Sequence, residues 1–137
     1  MRVGFVLAGI FTGSSIALCP SVASLFPDDG KDTLIIFPGG KLNSQSSLEQ
    51  MKNSIYDLVN EDNVDGAIVW SSSLSGSVDS TAVLGRFGGI LSKPLVTIDG
   101  KSESFPKIPN ICFNAYEGSR FLVQHCITVH NAKRILY

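Results

Sequence analysis

Six short apolar runs recur along this chain, over residues 3–8, 33–37, 66–70, 95–99, 110–113 and 134–137. They are continuous rather than alternating in polarity. A strand with one wet face alternates, whereas a strand covered on both faces does not, so these runs point to a parallel sheet enclosed between helices. The segments between them carry helical spacing. Ile16, Cys19, Val22, Ala23 and Phe26 make one face, and Leu48, Met51, Ile55, Leu58 and Val59 make a second, capped by Ser46 or Ser47. A weaker pattern over 78–90 is interrupted by Gly85, Gly88 and Gly89, and a fourth helix is expected over 117–129. Strand–helix alternation with a period of about 30 residues implies βαβ units joined by right-handed crossovers. The expected fold is three-layer α/β/α, with an open parallel sheet of strand order 2-1-3-4-5.

The chain has 137 residues, enough for one domain with a real core. Its net charge of −1, with Lys and Arg scattered, gives no electrostatic footprint for nucleic acid or an anionic membrane surface. No apolar stretch approaches the roughly 20 residues of a membrane helix, and Thr12 to Ser15 breaks the first run before it reads as a signal peptide. The expected location is the cytoplasm. Cys19, Cys112 and Cys126 lack metal-ligand spacing, and their odd number argues against a disulfide framework; each is read as reduced and packed in an apolar setting.

In open parallel sheets, ligands bind outside the carboxyl ends of the strands. Those ends are rich here in small and polar residues. The first strand leads into Gly9 to Ser15, the second into Pro38, Gly39, Gly40, Lys41, Leu42, Asn43 and Ser44, and the third into Ser71, Ser72 and Ser73. Asp99 and Gly100 follow the fourth strand, and Asn114, Ala115 and Tyr116 follow the fifth. Thr12, Gly13, Ser14 and Ser15 precede a helix, as an anion-binding loop would, but lack the Walker spacing; a capped turn serves as well. Gly39 and Gly40 suit either a close approach to ligand or a turn. Trp70, the sole tryptophan, suits stacking on a sugar or base, or packing in the core. His125 and His130 lie five apart, a poor spacing for one helical face, and Asp28 and Asp29 sit in a helix–strand connection away from the strand ends. No nucleophile–base pair is legible, so nothing in the residues asks for an enzyme.

Several passages together resemble the lactose-repressor-like and type I periplasmic-binding-protein-like family. Val3 to Val6 resembles its first strand, Asn63 to Val69 the approach to its third, and Lys93 to Asp99 its fourth. Asn114, Ala115, Tyr116, Glu117 and Gly118 resemble the crossover between lobes, followed by Val129, His130, Lys133, Arg134 and Ile135 at the start of the second lobe. Phe37 to Ser44, Ile55 to Val59 and Trp70 to Leu74 are similar to bacterial signalling proteins that carry this fold as an N-terminal sensor ahead of a diguanylate cyclase or histidine kinase.

The resemblance implies a first lobe over 1–114 and, over 115–137, the crossover, helix and first strand of a truncated second lobe. Met1 abuts the first strand, leaving no room for a repressor's helix-turn-helix. The implied function is regulatory sensing of a small polar ligand, a sugar or nucleoside, without metal or cofactor. Phe11, Thr12, Gly39, Gly40, Trp70, Ser71, Ser72, Ser73, Asp99, Asn114 and Tyr116 are the implied ligand-binding residues. Unpartnered second-lobe residues further imply a homodimer. The alternative from the enzyme class is a flavodoxin-like domain, with Thr12 to Ser15 holding a flavin phosphate.

Overall fold

The computed structural model describes residues 1–11, 13–27, 30–75, 78–90, 92–100 and 103–136. Five strands, β1 (Arg2–Leu7), β2 (Thr33–Pro38), β3 (Gly66–Trp70), β4 (Leu95–Ile98) and β5 (Asn110–Ile111), form one parallel sheet in the order β2-β1-β3-β4-β5. The helices are α1 (Ser15–Ala23), α2 (Ser47–Lys52), α3 (Ser71–Ser75), α4 (Ser80–Arg86) and α5 (Ala115–Thr128). Short 3-10 segments, Asn53–Leu58 and Gly88–Ile90, continue α2 and α4. The architecture is the α/β one that the apolar runs require.

Along β1 the side chains divide between two cores. Val6 joins Tyr56, Val64, Val69, Leu84 and Phe87 in the larger core, beneath α3, α4 and the 3-10 segments. Phe5 and Leu7 point the other way and pack with Cys19 and Trp70 under α1. Tyr56 anchors the larger core: it is 1% exposed, meets Phe87 edge-on at 5.8 Å, and its hydroxyl lies 3.0 Å from the Leu7 carbonyl and 2.9 Å from that of Gly40.

Four details depart from the periodicity. The second helical face is not the buried one: Leu48, Met51 and Leu58 are exposed, because the helix tightens to 3-10 after Lys52 and turns Ile55, Tyr56 and Val59 inward instead. Likewise Ile16 of α1 is exposed, and Cys19 carries that helix's contact. A further short helix, α3, precedes the third helical region, starting directly at the end of β3. Finally, residues 134–136 form no strand. A strand exists only through a hydrogen-bonded neighbour, and among the described residues there is no second sheet to supply one. Tyr137, like Asp28 and Asp29, lies outside the described residues.

Asp65 fastens the approach to β3 onto the start of β1. Its carboxylate accepts the Arg2 backbone N–H at 2.7 Å and an Arg2 guanidinium N–H at 3.3 Å. Those bonds, the backbone one first, hold the carboxyl below its usual range. A depressed folded-state value means the contribution is complete above the unfolded value of about 3.9 and is lost as pH falls through the folded one. Asp65→Asn is therefore expected to lower the melting temperature near neutrality and to flatten its decline in acid, measured by circular dichroism. An unchanged acid slope would contradict this role.

Candidate functional site

Three strand ends converge on one hydroxyl-rich hollow. Ala8 follows β1, Lys41 follows β2, Trp70 ends β3, and Ser72 and Ser73 open α3; Ser14 and Ser15 complete the wall from the start of α1. The hollow has a volume of about 260 Å³. Its hydroxyls are oriented by a chain of bonds. Ser73 Oγ accepts the Ala8 N–H at 3.1 Å and donates to the Trp70 carbonyl at 2.8 Å. Trp70 Nε1–H donates to Ser72 Oγ at 2.9 Å, and Ser72 in turn reaches Asp99 Oδ2 at a long 3.4 Å. A serine hydroxyl has two acceptor lone pairs besides its donor, so these bonds leave capacity for a ligand. Lys41 adds a cation at the rim. The set suits a small molecule rich in hydroxyl, carbonyl or phosphate oxygens.

Of the residues implied by the resemblance, Trp70, Ser72 and Ser73 meet in this hollow. Trp70 is mostly buried against Phe5, Leu7 and Cys19, so it is core as well as wall. Asp99 stands beside Ser72 with a positive φ of 50°. Ser71 faces inward instead: it is 1% exposed, and its hydroxyl has no partner among the described residues. Gly39 and Gly40 are buried, and neither lines the hollow. A Cβ on Gly39 would lie 2.3 Å from the Tyr56 ring, and one on Gly40 2.7 Å from Glu49 Cβ, so both are occupied by close packing. Phe11 is exposed and outside every described cavity. Thr12 lies outside the described residues. Asn114 caps α5, accepting the Glu117 N–H at 3.1 Å, and Tyr116 is exposed on that helix; neither lines the hollow.

Sequence reasoning passed over Ala8, Ser14, Ser15 and Lys41 as individual residues, although it singled out the loops that hold Ser14, Ser15 and Lys41. Only the fold shows that Lys41, and not the preceding glycines, reaches the hollow. His125 and His130 also meet, contrary to their spacing: α5 ends at Thr128, the chain turns, and the two Nε2 atoms come to 3.2 Å. The cysteines are free, but only Cys19 is buried, and burial pushes its thiol pKa up; Cys112 is exposed, just past the edge strand β5. Among the described residues no group of three or more side chains is placed to hold a metal ion, and no helix is long and apolar enough to cross a membrane. No protein-family model, curated protein or solved structure matches this chain.

Proposed function

We propose that this chain is the ligand-binding lobe of a regulatory sensor of the lactose-repressor-like and periplasmic-binding-protein-like kind, and that it recognises a small polar molecule such as a sugar or nucleoside. The observation that supports this reading is the bonded run Ala8–Ser73–Trp70–Ser72, facing Lys41 at the carboxyl ends of β1, β2 and β3. Ligands of open parallel sheets sit at that edge. The hollow, about 260 Å³, is smaller than the roughly 300–1,000 Å³ of enclosed small-molecule sites. It is one wall of a cleft, and an opposing surface closes it. Closure onto a bound ligand is how such a lobe passes a signal to an output domain.

Trp70 supplies the readout, as the only tryptophan in the chain and a member of the wall. Titration with monosaccharides and nucleosides is expected to shift its fluorescence saturably, with weak affinity in the ~mM range because one wall supplies all the contacts. Ser72→Ala and Lys41→Gln are each expected to weaken that binding about tenfold, the worth of one polar contact. A flat response across both panels would defeat the reading.

A second reading rests on Ser14 and Ser15 at the start of α1 opposite Lys41, a set that suits the phosphate of a flavin nucleotide. Flavin absorbance in the purified protein would favour it over the first.

A further inference from the structure

The two faces of the sheet are covered unequally. On one face Ala67, Val69, Leu95 and Thr97 are buried beneath α3, α4 and the 3-10 segments. On the other face α1 covers β1 and stops. There Ile68, Val96 and Ile98 are half-buried and Ile111 is exposed, flooring an apolar groove of about 910 Å³. Leu18, Val22 and Leu25 of α1 and the turn after it form the groove's wall. Parallel sheets are stable with both faces covered, so this strip calls for another element. Its width is that of β3, β4 and β5, about 10 Å at the ~4.8 Å spacing of strands, which is the diameter of one helix.

The longest helix among the described residues has nothing to cover. α5 has 14 residues and buries none of them. At about 100° per residue, Tyr116, Leu122, Val123, Cys126, Ile127 and Val129 (just past its end) occupy one half of the helical circumference. Glu117, Arg120, Gln124 and Thr128 hold the other half, with Glu117 and Arg120 paired at 2.8 Å; Phe121 lies on that half too, its ring under the Arg120 guanidinium at 4.8 Å. Its length, about 21 Å, exceeds the roughly 17 Å of β3, the longest strand of the groove floor, so three of its four turns suffice to span the strip. Yet no residue of α5 lines the groove of its own chain. The Asn114 cap and the 2.9 Å bond from Ala115 N–H to the Phe113 carbonyl direct the helix away from the body within three residues of β5.

We infer that the groove over β3, β4 and β5 is the docking site for α5 of a second copy of this chain, exchanged reciprocally. One groove and one helix per chain are satisfied by two copies related by a two-fold axis, and the assembly then closes. Burying five large apolar side chains removes about 500 Å² from each helix at roughly 100 Å² apiece, and the groove loses a similar area. Two dockings then bury about 2,000 Å², at the upper end of the standard range for stable interfaces. The groove borders the hydroxyl-lined hollow and shares Ser14, Trp70 and Ser72 with it, but the inference rests on the apolar strip beyond them and stands whether or not the hollow binds a ligand.

Sedimentation and light scattering on the chain test it. The expected result is a dimer. Leu122→Asp, on the apolar half of α5, is expected to weaken dimerisation by ~100-fold or more, because docking then buries an unpaired carboxylate. Leu25→Asp in the groove wall is expected to do the same. Neither change touches the monomer's core, since both leucines are exposed in the single chain, and circular dichroism checks that the fold is kept. Gln124→Asp, on the polar half, is expected to leave the dimer intact. A monomer at all concentrations, with α5 turned back onto its own sheet or left free, would overturn the inference. So would a dimer indifferent to Leu122→Asp, or open-ended growth in place of a closed pair.

Discussion

Truncating Tyr56 to alanine is expected to lower the unfolding free energy by about 3–5 kcal/mol, the cost of removing a large aromatic ring from a closed core. The ring is 1% exposed, packs edge-on against Phe87, and fills the space above Gly39, where a Cβ would come within 2.3 Å of it. Its hydroxyl serves the Leu7 and Gly40 carbonyls, tying the end of β1 to the loop after β2. Tyr56→Phe separates the two contributions. It keeps the ring and is expected to cost about 1–2 kcal/mol, since the Gly40 carbonyl loses a buried donor while the Leu7 carbonyl keeps the Gly39 N–H. Urea denaturation measures both variants. A Tyr56→Ala variant within about 1 kcal/mol of the wild type would mean that the ring is not the keystone of the larger core. Against a typical total of about 5–15 kcal/mol, the predicted loss is enough to leave a substantial unfolded population.

The second large effect is expected at Gly100. A Cβ there would lie 2.0 Å from Ser71 Cβ and 2.1 Å from its hydroxyl, a separation that atoms do not adopt. The Gly100 N–H is meanwhile held at 2.9 Å by Asn110 Oδ1, which also takes the Thr97 hydroxyl at 2.9 Å, so the backbone is fixed between β4 and β5. Gly100→Ala is expected to destabilise by about 3 kcal/mol, the upper part of the overpacking range. The cause is checked by a double-mutant cycle with Ser71→Gly. Removing the Ser71 side chain leaves its Cα 3.5 Å from the new methyl group, an ordinary contact, so most of the loss is expected to return. Additive effects of the two changes would show that the clash is not with Ser71. The hydroxyl of Ser71 has no partner among the described residues, so Ser71→Ala alone is expected to be neutral or stabilising by up to about 1 kcal/mol.

These two positions show where the residues themselves were informative about the site and where they were not. The paired glycines after β2 and the serines after β3 stand out in the sequence because they follow apolar runs, and strand ends are where such folds bind ligands. Which of them face the cleft depends on rotations of a few tens of degrees in the loops. Ser72 and Ser73 line the hollow, whereas Ser71, just before them in the chain, turns into the core against Gly100. Gly39 and Gly40 carried the right signal for a close approach, but the approaching groups are Tyr56 and Glu49. Lys41, one residue further on, is the side chain that reaches the hollow. Asn114, which caps α5, and Tyr116, which lies on it, come from the crossover resemblance; neither lines the hollow.

The sequence by itself determined the layered architecture. Continuous apolar runs demand strands buried on both faces, the helical segments between them supply the crossovers that parallel strands need, and the order 2-1-3-4-5 is the simplest arrangement of that alternation and the one the structure shows. The tertiary structure alone decided how the layers close. Periodicity records that a face is apolar but not what covers it, because covering is a property of distant segments brought together. Leu48 and Met51 are apolar at helical spacing and lie in solvent; Tyr56, between two residues of that pattern, became the centre of the core. The run over 134–137 has the composition of a strand, yet 134–136 form none for want of a neighbour to bond. The same physics leaves the groove over β3, β4 and β5 and the apolar half of α5 uncovered, each legible as hydrophobic in the sequence and recognisable as a complementary pair only in three dimensions.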